Sequence, residues 1–155
     1  MDEKSIEKAV EVYFTLCQAI ESRGWTFDRN DEELTVDFRV NGEDLPMTCV
    51  IMVDIERQMV RFFSPMPFKM CEDKIVEGAV AVCASSYAMA DGNFIYDIET
   101  GSITFKMTAS FMNSTVGEGL FQYLIQCALA TVDRYNDKFF ALNKGFISIE
   151  DFLNE

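Results

Sequence analysis

The chain has 155 residues, 49% of them hydrophobic, and its 26 Asp and Glu against 13 Lys and Arg leave a net charge of −13. That length suits one domain with a single core, and basic residues scattered singly argue against nucleic acid or an anionic membrane surface as partner, because phosphate binding needs clustered Lys and Arg. Histidine is absent, which excludes Ser-His and Cys-His nucleophile pairs and most transition-metal sites.

The first predicted element is an amphipathic helix over residues 5–23. Ile6, Ala9, Val10, Tyr13, Phe14, Cys17 and Ile20 line one side, and Glu7, Lys8, Glu11, Gln18 and Glu21 the other. Ser5 suits the N-cap and Gly24 the stop. The acidic run Asp28 to Glu33 has the charge of a calcium loop without its ligands. Its sixth position is Glu33 rather than glycine, and its twelfth is Arg39 where a bidentate Glu is needed.

Three strands follow. The first places Leu34, Val36, Phe38 and Val40 inward, and Asn41-Gly42 signals a hairpin. The second, Met47 to Ile55, alternates Met47, Cys49, Ile51, Val53 and Ile55 with Thr48, Val50, Met52 and Asp54. The third, about Gln58 to Phe63, turns Val60 and Phe62 inward and Met59 and Phe63 outward, beside Val50 and Met52. A sheet apolar on both faces needs a cover for the second one. Ser64 to Met70 holds two prolines and reads as an irregular connector, with Met66, Phe68 and Met70 unusually apolar for a loop.

A second helix spans about Glu72 to Met89. Its apolar residues spread round more than half the circumference, so it packs on two surfaces, and Val76, Val80, Cys83 and Tyr87 are the candidates for self-association into a homodimer. After Asp91-Gly92 comes a hairpin. Phe94, Tyr96 and Ile98 lead to the turn Glu99 to Ser102, where Gly101 supplies positive φ, and Ile103, Phe105, Met107 and Ala109 return. Thr115 to Glu118 reads as a capping box for a third helix whose stripe runs from Leu120 to Tyr135. The tail, 137–155, offers Phe139, Phe140, Leu142 and a short helix from Ser148.

Five cysteines, at 17, 49, 71, 83 and 127, form no C-x-x-C pair, so neither a disulfide framework nor zinc is expected. Free thiols, no run of membrane-span length and no signal segment predict a cytoplasmic protein. Gly117-Glu118-Gly119, Ser5-Ile6-Glu7-Lys8 and Asn113-Ser114-Thr115 match a phosphate cradle, an S-x-x-K motif and a sequon, each without its companion residues or context. No catalytic residue, cofactor or metal site is expected.

The order of elements, with Asp91-Gly92-Asn93-Phe94 before the fourth strand and Thr131-Val132-Asp133-Arg134-Tyr135 near the end of the third helix, resembles the YbjN-like family. Gly101-Ser102-Ile103-Thr104-Phe105 and the passage Leu120 to Tyr135 contribute most of the likeness, which covers roughly residues 5–136. The resemblance implies a fold similar to the type III secretion chaperones, small acidic homodimers that hold an extended partner segment on apolar patches. It also brings a loose label as a regulator of sensory transduction, and no catalytic residues.

The expectation is therefore one α+β domain over 1–155, its core at about 5–136 and a helical tail beyond. A five-stranded antiparallel sheet would run in the order α-β-β-β-α-β-β-α, followed by a short C-terminal helix. Its function would be non-enzymatic, holding a segment of a protein partner on Val50, Met52, Met59 and Phe63 with Met66, Phe68 and Met70. The alternative is a regulatory domain that senses a small molecule in a pocket.

Overall fold

The computed structural model describes residues 1–155 and contains six strands and four α-helices: α1 (Glu3–Glu21), β1 (Asp28–Asn30), β2 (Thr35–Asn41), β3 (Pro46–Asp54), β4 (Met59–Lys69), α2 (Ile75–Tyr87, entered through a 3-10 turn Glu72–Lys74), β5 (Asn93–Asp97), β6 (Ser102–Ser110), α3 (Glu118–Asn143) and α4 (Ile149–Asn154). The strands form one sheet in the order β1-β2-β3-β4-β6-β5, and every neighbouring pair is antiparallel. Alternation decides what each face buries. Val36, Phe38, Cys49, Ile51, Val60, Phe62, Phe94, Ile103, Phe105 and Met107 all turn to the side where the helices pack. There they meet Tyr13, Leu16 and Ile20 of α1 and Phe121, Ile125, Ala128 and Phe139 of α3, in one cluster of 33 buried residues.

The sheet has six strands where five were expected. The extra one is β1, drawn from the acidic run that reads as a loop. Three polar residues have no apolar alternation to betray a strand, so tertiary contacts hold it instead. Arg29 stands opposite Val36 in the ladder, and its Nε donates to Asp31 Oδ1 at 2.8 Å. The buried Tyr13 hydroxyl donates to the same oxygen at 2.8 Å, tying the edge to α1. The chain reaches β2 through a tight turn that puts Leu34 at φ 53° with its side chain buried, so the strand begins at Thr35.

β4 runs unbroken to Lys69, through the segment whose two prolines argue for a loop. The prolines act on the hydrogen bonds and leave the extended path intact. The ladder with β3 ends at Val50–Phe63, the Ser64 hydroxyl donates to the Thr48 carbonyl at 2.8 Å, and the pairing with β6 shifts register between Pro65 and Lys69. At the next corner Gly101 takes φ 76°, and a Cβ there would stand 2.7 Å from the Met70 carbonyl oxygen, so the β5–β6 turn can close only on glycine.

Two helix starts differ from the sequence reading. The cap of α1 is Asp2, whose carboxylate accepts the Ser5 N–H at 2.8 Å, which puts Ser5 inside the first turn. The cap of α3 is Gly117, with no side-chain bond, and Glu118 accepts the Ser22 hydroxyl at the end of α1 instead of closing a capping box. α3 also continues eight residues past Tyr135, so Phe139 and Leu142 of the expected tail are fully buried core.

Candidate functional site: the uncovered face of the sheet

All four helices lie on one side of the sheet, and the other side faces solvent. α1 packs on α3, α2 along β5, and α4 against α2 and α3, where Phe152 stacks on Phe139 at 5.3 Å and Lys138 pairs with Glu155 at 3.2 Å. The C-terminal tail therefore belongs to the helical layer and leaves the second face bare.

Strand register assembles that bare face. Thr35, Met52, Arg61 and Thr108 stand in one row across β2, β3, β4 and β6; Asp37, Val50, Phe63 and Lys106 form the next; Asp54, Met59 and Ser110 lie above them. Val50, Met52, Met59 and Phe63 are each partly exposed and adjoin one another at the centre. The β3–β4 hairpin thus brings these four residues into one apolar patch. Arg39, Arg61, Lys69 and Lys106 lie on this face together with Asp28, Asp37, Asp54 and Asp97. Arg61 caps the Phe63 ring with its guanidinium 5.2 Å from the centroid and approaches Asp54 at 3.8 Å.

The remaining predicted positions divide. Met66 and Met70 are turned into the core, only 7% and 4% exposed, and Phe68 meets Phe140 of α3 edge-on at 5.5 Å. These three belong to the helical side, since β4 keeps its alternation where a loop was expected. On α2, Val76 (72% exposed), Val80, Cys83 and Tyr87 (94% exposed) form a stripe open to solvent. A third apolar surface escaped the sequence reading. Ile6 and Phe14 of α1, assigned to its buried side, are about half exposed, because Val12 and Leu16 take the core positions.

The titratable groups are disposed for structure. Arg29, and next Tyr13, hold the Asp31 carboxyl below its ordinary value by hydrogen bonding; burial raises Cys17 and lifts Cys49 to about 12. The Asp91 carboxylate accepts the Tyr123 hydroxyl and raises that phenol to about 12. Asp91 also lies between two open hollows of about 320 and 360 Å³, one lined by Met89, Cys127, Thr131 and Arg134, the other by Asn93, Lys106, Leu120 and Tyr123. No three Cys, Asp or Glu side chains converge in a metal-binding group, and no helix is long and apolar enough to cross a membrane.

By sequence, the chain matches no family model and no curated protein. By structure it is similar to YbjN of E. coli, with TM-score 0.60 and 11% identity over 79% of this chain and 86% of that one. It is likewise similar to the solved HopA1–SchA chaperone–effector complex, with TM-score 0.59 and 10% identity over 88% of this chain and 98% of the matched one. The chain has the YbjN-like, type III secretion chaperone-like fold. At such low identities the likeness is one of fold.

Proposed function

We propose that this protein is a non-enzymatic binding module that holds a segment of another protein on the uncovered face of its sheet. The observation behind this reading is the patch of Val50, Met52, Met59 and Phe63, which no helix and no part of the tail covers. A solved complex of similar fold pairs a chaperone with an effector, which favours a protein as the partner.

The same reading makes the protein a homodimer through α2. From Gly78 to Ala90 there is no charged residue. Two copies of a chain at −13 repel wherever acidic surface meets acidic surface, so a charge-free apolar stripe is where they can approach. Replacing both Val76 and Val80 with Asp is expected to convert dimer to monomer in light scattering, with the circular dichroism spectrum unchanged.

Photo-crosslinking tests the binding face. A photoreactive residue at position 63 is expected to trap a defined protein species in cells, and Met52→Asp to abolish that adduct. The same adducts from a probe at Glu99, in the exposed β5–β6 turn, would defeat the proposal. The two hollows beside Asp91 favour small-molecule sensing as the second reading, and a reproducible rise in melting temperature with one metabolite class would promote it.

A further inference from the structure

The outer edges of the sheet are guarded. On β5 the Phe94 N–H donates to the Ser86 hydroxyl at 3.0 Å, and that hydroxyl donates to the Phe94 carbonyl at 3.3 Å, so α2 closes that edge. At the far side β1 is three polar residues long, and past it Trp25 fills the space beside Phe38 of β2, ring to ring at 5.6 Å. An unguarded stretch lies instead on β6. Its ladder with β4 reaches Ser110, but its ladder with β5 stops at Asn93–Lys106.

Alternation decides which backbone groups open there. Phe94 turns its N–H and C=O to Ser86, so Asn93 turns its own to Lys106, and Thr108 and Ser110 point the same way. Phe111 has the opposite parity, and its N–H donates to the Gln58 carbonyl across the other ladder at 2.9 Å. The exposed Thr108 finds no backbone partner, because the line of β5 breaks at Gly92. That glycine takes φ 72°, and a Cβ on it would stand 2.6 Å from the Phe105 ring. A hollow of about 360 Å³ opens where β5 would otherwise continue, with Met107, Leu120 and Leu124 in its wall and the Tyr123–Asp91 hydrogen bond beside it. Lys106 and Asp91 both border it, so net charge selects nothing. Unpaired ladder groups beside an apolar wall fit an extended backbone, which pairs as a strand and sets one side chain against the wall. A helix has its backbone bonds internal and leaves those groups unmet.

Resting on the protein-binding role proposed above, but at a seat separate from Val50, Met52 and Phe63, we infer that a partner segment adds to β6 as a short strand along Thr108 to Ser110, in line with β5. The residue opposite Ala109 turns to the helical side, toward Leu120 and Leu124, and is apolar. Its two neighbours turn to the bare side and are free to be polar. With the segment antiparallel to β6, as β5 is, the residue after the apolar one exchanges both hydrogen bonds with Thr108.

The test follows the backbone amides of isotope-labelled full-length protein by NMR while capped, threonine-rich peptides of about five residues are added, with Leu, Phe or Asp at the centre. The Leu and Phe peptides are expected to shift the Thr108 and Ser110 amides and slow their exchange, and the Asp peptide to bind roughly tenfold more weakly. N-methylation of the residue after Leu, whose N–H would donate to the Thr108 carbonyl, is expected to weaken binding by a similar factor. N-methylation of Leu itself, whose N–H points away from β6, is expected to change little. Leu120→Asp, at a partly exposed position, is expected to abolish the preference for an apolar centre. Equal effects of the two methylations overturn the inference, as does an unmoved Thr108 amide at millimolar peptide whatever the centre. N-acetyl-leucinamide binding as tightly as the Leu peptide would make the hollow a small-molecule site and overturn the strand. Shifts confined to Val50, Met52 and Phe63 would overturn it too while supporting the binding role on the bare face, which the crosslink at position 63 tests separately.

Discussion

The two faces of one sheet teach different lessons here. Both are built from the same strands and both carry apolar side chains, but one is covered by the helices and the other by nothing in the chain. On the covered side Phe62, Phe105 and Phe139 are fully buried, and their removal leaves a cavity. On the bare side Phe63, next in the chain to Phe62, packs only against neighbours in the sheet and under Arg61. A single residue step separates a side chain that holds the fold from one free to hold something else.

Five substitutions would sharpen or break that contrast, beginning with the largest effect. Phe105→Ala on the covered face is expected to cost about 3–5 kcal/mol in urea unfolding, against no more than about 1.5 kcal/mol for Phe63→Ala. Equal costs would make Phe63 a core residue and remove the distinction between the faces. Asn143→Ala comes next, since the buried amide of Asn143 accepts the Cys71 N–H at 2.7 Å and donates to the Lys69 carbonyl at 3.1 Å, joining α3 to the end of β4. Leaving those backbone groups unpaired is expected to cost about 1–3 kcal/mol by the same assay.

Ser86→Ala removes the hydroxyl that closes the β5 edge. About 1 kcal/mol of stability is expected to be lost, with faster hydrogen exchange at the Phe94 amide and not at buried strands such as β3. Unchanged exchange at Phe94 would mean that the edge is protected by something other than Ser86. The smallest effect concerns pH. Asp97 is held below its ordinary 3.8 by the Thr100 hydroxyl first and the Glu99 N–H next. Its contribution is therefore complete above the unfolded value and is lost as pH falls through the lower folded one. The difference in melting temperature between wild type and Asp97→Asn should shrink in acid below that ordinary value; a difference constant with pH would show that the ionised carboxylate is not what the turn uses.

Much of the covered face was legible in the sequence. The inward residues of β2, β3, β5 and β6, the positive φ at Gly101 and the helical stripe of α3 follow from periods of 2 and 3.6 residues and from glycine's missing Cβ, all local properties. The failures share one cause. β1 has no apolar period, and its place is set by Tyr13 of α1 and by its pairing with β2. The prolines at 65 and 67 lower the odds of a strand locally, but pairing of β4 with β6 overrides them and turns Met66 inward.

The candidate site was half legible. Outward alternation identified Val50, Met52, Met59 and Phe63 one strand at a time. What no single strand could reveal is which of these stand side by side, or that the last helices pack on the opposite face and leave the patch uncovered. Sequence by itself determined the elements and their buried sides, because steric and hydrophobic periodicity act over a few residues. Only the tertiary structure decided the sixth strand and the bare face, because register and layer order are set by contacts between residues far apart in the chain.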